Sequence, residues 1–146
     1  MTSEDNKATI HYAGDDLFVA ITPSGHAQTL DTRHERAAAA TPMELLLLAL
    51  GSCTAVDVIS ILHKKRERVT AYRVEVTGAR RAEHPRKYRR FEVRHIVSGR
   101  GVSEKAVAQA IELSETKYCS VAATLSPGAE IVSSFEIRED EGAADS

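Results

Sequence analysis

The sequence predicts an α+β fold in which antiparallel sheets surround one long buried central helix. Three observations carry this. The stretch from Thr41 to Leu62 is apolar round the whole circumference of a helix. Shorter β-rich stretches lie on both sides of it, and turn signals built from Gly, Pro and Asp separate them. At 146 residues the chain suits one domain, over 1–138, with enough length for one substantial core.

Residues 8–13 and 17–22 form the first two strands, with Gly14-Asp15-Asp16 between them as a hairpin signal. Pro23-Ser24-Gly25 makes the next turn, and a third short strand runs from about His26 to Asp31. The polar segment Thr32 to Arg36 and four alanines then form an arm that carries Arg33 and Arg36 toward the central helix.

The start of that helix is strongly marked. Thr41 is placed as N-cap, Pro42 takes the first helical position and Glu44 completes a capping box. Leu45 to Leu48, Ala49, Leu50, Val56, Val58, Ile59, Ile61 and Leu62 leave no polar face, so the helix is expected to be buried on nearly every side. Lys64-Lys65-Arg66 suits the negative end of its dipole and should close it. A membrane span is the poorer reading, because Glu44, Asp57 and an expected break at Gly51-Ser52 leave only about 12 uninterrupted apolar or small residues where about 20 are needed.

Val69 to Gly78 and Tyr88 to Ser98 each alternate with a period of two and are joined through Glu83-His84-Pro85, which reads as a long antiparallel hairpin. Phe91, Val93, His95 and Val97 share its apolar face, and His95 there reads as a core histidine, with no second ligand at a metal spacing. Ser103 and Glu104 open a second helix, and a further helical stretch spans Glu115 to Leu125 until Pro127-Gly128 stops it. A last strand runs from Ala129 to Arg138, and residues 139–146 are expected to be an acidic, disordered tail. One sheet cannot cover a helix that is apolar all round, so a tight homodimer is expected, its helices packed between sheets from both chains.

Residues 63–100 hold 13 Lys+Arg against 4 Asp+Glu, leaving 6 against 17 in the rest. Such asymmetry can mark a nucleic-acid surface. The basic residues alternate with apolar ones along strands, and no run of aromatic side chains accompanies them, so a solvated sheet face is the better reading. Two widely spaced cysteines and a polar N-terminus point to a reducing, cytoplasmic setting.

Cys53 lies in the middle of the central helix among Gly51, Ser52 and Ala55. Composition by itself favours close packing around an inert cysteine over a pocket beside a reactive one. A reactive thiol needs a cation close by, because at pKa ~8.5 it is only a few per cent thiolate at neutral pH. Asp57, four residues on, works the other way if it faces the sulfur. Arg33 and Arg36 are the nearest arginines in sequence.

Thr41-Pro42 leading through an apolar helix to Cys53, with Cys119 in Lys-Tyr-Cys-Ser-Val-Ala of a later helix, resembles the OsmC/Ohr family of osmotically inducible and organic hydroperoxide resistance proteins. The element order agrees from about residue 8 to 138, and the helix with the segment Glu112 to Leu125 looks most like a YhfA-like branch. The resemblance implies an OsmC-like fold, an intertwined α+β homodimer, and a thiol peroxidase that binds no cofactor and draws on an external dithiol reductant. It implies Cys53 as the peroxidatic cysteine, Cys119 as the resolving cysteine and Arg33 as the thiolate-stabilising arginine. The family glutamate does not carry over: its position is Met43, and Glu44 lies one residue later. The alternative is a protein that keeps the fold but has weak or no peroxidase activity and binds a small apolar or electrophilic ligand.

Overall fold

The computed structural model describes residues 5–140. It contains two compact units, Met1–Leu46 and Leu47–Ser146. In the first, β1 (Thr9–Gly14), β2 (Leu17–Ile21) and β3 (Ala27–Asp31) form an antiparallel meander in that order. The β1–β2 turn places Gly14, Asp15 and Asp16 at positive φ, a conformation that Gly adopts freely and Asp tolerates. Asp31, at the end of β3, is buried and accepts hydrogen bonds from the Arg33 and Ala38 amides and from the Arg36 guanidinium. Arg36 and the two amides hold its carboxyl far below the usual carboxylate range. The arm after β3 is thus wound round one carboxylate.

The expected capping box starts α1 (Pro42–Lys64). The Thr41 amide donates to Glu44 Oε1 at 2.9 Å, and the Glu44 amide to Thr41 Oγ1 at 3.2 Å. At the other end Arg66 takes a left-handed conformation, the Glu67 amide returns to Leu62 O at 3.0 Å, and the Arg66 amide to His63 O at 2.9 Å. That is a Schellman closure with arginine where glycine is usual.

Two expectations about α1 change. Gly51-Ser52 does not break it, because Ser52 Oγ donates back to Leu48 O at 2.7 Å and stays within the helix. By length and composition the 23-residue helix is therefore apolar enough to cross a membrane. Nor is it buried on every side within one chain. Leu50, Gly51, Thr54, Val58 and Leu62 make a single buried stripe at helical spacing, while Leu48 and Val56 are 60% and 66% exposed. That stripe packs on protein: Val58 and Leu62 join Val97, Val102, Ala106, Val107, Ala110 and Ile111 in one apolar cluster.

In the second unit, β4 (Arg68–Arg80), β5 (Tyr88–Arg100) and β6 (Glu130–Glu139) form a sheet in that order. β4 and β5 are the expected antiparallel hairpin, turning through a cis His84–Pro85 peptide. β6, however, pairs parallel to β5, with Phe91 opposite Ile131 and His95 opposite Phe135, so this sheet is mixed rather than wholly antiparallel. The reason is the connection: residues 101–129 hold α2 (Glu104–Leu113), a π-helical turn (Ser114–Tyr118) and α3 (Ser120–Leu125), and a helical crossover returns the chain in the same direction. Ser103 caps α2 by accepting from the Ala106 amide at 3.2 Å. The tail expected at 139–146 begins with Glu139 still in β6 and lies, from residue 141, outside the described residues.

Gly51 is explained by close approach to the sheet. A Cβ there would sit 2.9 Å from Val76 Cγ2 of β4, so α1 meets the sheet at van der Waals distance and the small residue serves packing.

Candidate functional site

Both cysteines are free thiols. Cys53 is half-buried in the middle of α1. Cys119 is buried at the residue that caps α3, where its Sγ accepts from the Ala122 amide at 3.3 Å. The Cys119 thiol is pushed up to about 11. Burial is the main cause, opposed by the Ala122 amide and reinforced by the adjacent Cys53 thiol and the charge of Asp57. The fold therefore brings two residues 66 positions apart in sequence next to each other, and it keeps Cys119 protonated at neutral pH.

The π-helical turn sets the position of Cys119. Ser114, fully buried at its start, accepts the Cys119 amide on its carbonyl at 2.7 Å. Its Oγ lies 3.0 Å from Thr54 Oγ1 and 2.9 Å from Asp57 Oδ2. The Ser114 hydroxyl is the donor to both, so its one proton is shared between the Asp57 carboxylate and the Thr54 hydroxyl oxygen. Thr54 adjoins Cys53 and Asp57 lies one turn on, so the helix bearing Cys53 is tied to the turn that bears Cys119. Asp57 thus has a structural partner in Ser114.

Beyond the turn, Glu115 accepts a hydrogen bond from Ser133 of β6. Glu115, Ser133, Thr54 and Cys119 line a small cavity of about 10 Å³, room for about one water. Burial raises the Glu115 carboxyl above its ordinary value. Neither Glu115 nor Ser114 was marked by the sequence, because their partners lie in β6 and α1, distant along the chain.

Arg33 belongs to the first unit, where its Nη1 lies 3.1 Å from Asp15 Oδ1 and its Nε 2.8 Å from Asp16 Oδ2. Arg36 is held there by Asp31 and Asp15, each at under 3 Å. The two aspartates that supply the β1–β2 turn thus double as the arginines' partners.

His95 is a core residue, as expected, but only half satisfied. It is fully buried, its Nδ1 lies 2.7 Å from the Tyr72 hydroxyl, and its Nε2 has no hydrogen-bond partner among the described residues. Burial and the charge of Asp57 raise the Tyr72 hydroxyl, so it keeps its proton and donates to Nδ1. Burial pushes His95 down to about 4, and the ring is neutral. Among the described residues no group of three or more His, Cys, Asp or Glu is arranged to hold a metal.

Several basic residues of the hairpin have acidic partners on the solvent face. Arg90 meets Glu130 at 3.1 Å, Arg94 meets Glu136 at 2.8 Å, and Arg73 meets Glu75 at 3.5 Å. The charge asymmetry along the sequence is thus partly neutralised, by Glu130 and Glu136 across strands and by Glu75 within β4.

A model of the OsmC-like protein family matches residues 34–134. Protein YhfA of Escherichia coli K12 is 42% identical over 120 residues, covering 82% of this chain and 89% of that protein. The crystal structure of a hypothetical protein from Aquifex aeolicus superposes with a TM-score of 0.84 at 34% identity, covering 95% of this chain and all of the other. An organic hydroperoxide resistance protein from Elizabethkingia anophelis superposes with a TM-score of 0.66, covering 95% and 99% of the two chains; at 12% identity that likeness concerns the fold.

Proposed function

The chain belongs to the OsmC-like family, and from that premise we propose that it is a thiol-dependent organic hydroperoxide reductase. The observation that carries the reading is the meeting of two free thiols, Cys53 half-buried and Cys119 buried beside it. In the proposed cycle the Cys53 thiolate attacks the terminal oxygen of the hydroperoxide. An S–O bond forms, the O–O bond breaks, and the alkoxide takes a proton and leaves as the alcohol. Cys53 is then a sulfenic acid. Cys119 attacks its sulfur, the disulfide forms, and hydroxide departs as water. An external dithiol reopens the bridge through a mixed disulfide and is itself oxidised.

The two roles fall to the two cysteines for a physical reason. A thiol held near 11 is a poor first nucleophile at neutral pH but a sound resolving partner once its neighbour is electrophilic. Arg33 is the arginine assigned to the Cys53 thiolate by family resemblance. The exposed Leu48 and Val56 on α1 support a homodimer that covers this face. Two free thiols suit a reducing cytoplasm. Met43 at the family's glutamate position favours a second reading, a ligand-binding protein with little peroxidase activity.

Cumene hydroperoxide added to reduced protein is expected to consume two thiols per chain and to yield a Cys53–Cys119 disulfide visible by mass spectrometry. Cys53→Ser abolishes turnover with a dithiol, and Cys119→Ser halts at the sulfenic acid. Thiols that survive an excess of hydroperoxide would refute the peroxidase and leave the second reading.

A further inference from the structure

Glu115 stands between two spaces. On its inner side is the small cavity that reaches Cys119. On its outer side is an open groove of about 270 Å³ lined also by Ser126, Ala129 and Glu130. Three residues border both, Glu115, Ala122 and Ile131, and of these only Glu115 can carry a proton. Its carboxyl is fixed at that position by the Ser133 hydroxyl, and among the described residues no Lys, Arg or His forms an ion pair with it.

The resolving step needs such a group. Cys119 Sγ–H must lose its proton as the S–S bond forms, and it is buried, with the Cys53 thiol and the Asp57 charge beside it. Asp57 already accepts the Ser114 proton. We propose that Glu115 is the proton acceptor for Cys119, relaying its proton from the thiol to the hydroxide that departs from Cys53. The inference rests on the two-cysteine reading of the site. In the balanced step, Cys119 Sγ–H gives its proton to the Glu115 carboxylate and its electron pair to the Cys53 sulfur. The S–O bond of the sulfenic acid breaks with its electrons on oxygen, and the departing hydroxide recovers the proton from Glu115 as water. The raised Glu115 carboxyl brings its basicity nearer that of the thiol.

The titratable groups around this relay are Cys119 on the inner side, Glu130 in the groove, itself 3.1 Å from Arg90, and Asp57 and Cys53 through their effect on Cys119. Glu115→Gln keeps a side chain that can accept from Ser133 but cannot take the proton. In rapid mixing with cumene hydroperoxide, formation of the Cys53 sulfenic acid should keep its wild-type rate while its conversion to the disulfide slows about 100-fold. The slowed step should rise about tenfold per pH unit toward the Cys119 thiol value near 11, a profile that a merely structural defect would not produce. Glu115→Asp should recover part of the rate.

The same attack is read without peroxide by loading Cys53 with a nitrobenzoate thiol as a mixed disulfide and timing its release by Cys119. Slower release in Glu115→Gln supports the relay even if wild type forms no sulfenic acid, a result that would sink only the peroxidase. Equal release rates in wild type and Glu115→Gln overturn the relay, whatever the peroxide result.

Discussion

Replacing His95 tests the buried polar pair of the core and, with it, the account of how β4 and β5 are held. The folded protein keeps this ring neutral down to about pH 4, whereas an unfolded chain protonates it near 6.5. Between those values the unfolded state binds the extra proton, so stability falls as pH falls from about 6.5 and levels off below about 4. A depression from 6.5 to about 4, at about 1.4 kcal/mol per pH unit, makes this loss about 3 kcal/mol. The double variant Tyr72→Phe/His95→Leu removes both hydrogen-bonding groups and the unpartnered Nε2 together, so it should be close to neutral at pH 7. His95→Leu alone strands the Tyr72 hydroxyl and should cost about 1–3 kcal/mol. Urea unfolding followed by circular dichroism, at one protein concentration from pH 7.5 to 4, measures both. Wild type should lose about 3 kcal/mol more than the double variant over that range. Parallel curves for the two proteins would mean that His95 titrates normally and that its burial carries no such penalty.

Two further outcomes follow from α1. Gly51→Ala would ordinarily gain about 1 kcal/mol of helix propensity, but the new Cβ meets Val76 Cγ2 at 2.9 Å, and overpacking costs about 1–3 kcal/mol. A melting temperature lowered by a few degrees is expected, and a raised one would show that the helix has room to move off the sheet. Val56→Glu places a charge on the exposed apolar face of the proposed homodimer and should leave a folded protein of one-chain mass by sedimentation, against an expected two-chain mass for wild type. A wild type that sediments as a single chain at micromolar concentration would refute the dimer.

Much of this architecture can be read in local residue patterns. Thr41, Pro42 and Glu44 specify the start of α1 because a capping box is completed within one turn, and the structure has both of its hydrogen bonds. The alternation of Tyr72, Val74 and Val76, and of Phe91, Val93, His95 and Val97, assigned the hairpin and its inner face, since strand periodicity is also local. The family resemblance singled out the two cysteines.

Tertiary structure decided what depends on pairs distant in the chain. The parallel direction of β6 is set by a crossover of some thirty residues, and no pattern inside the strand records it. An apolar circumference on α1 does not say which stripe the same chain covers, and packing chose Leu50, Thr54, Val58 and Leu62. Asp57, whose spacing would set it against the Cys53 thiolate if it faced the sulfur, meets Ser114 from 57 residues away. Glu115 gains its position from Ser133, 18 residues on, in a strand that only the fold brings alongside. Sequence determined which side chains carry reactive groups and which elements bear them, because caps and periodicities act over a few residues. Structure alone decided what each group faces, because burial and charge act through space between segments that share no local signal.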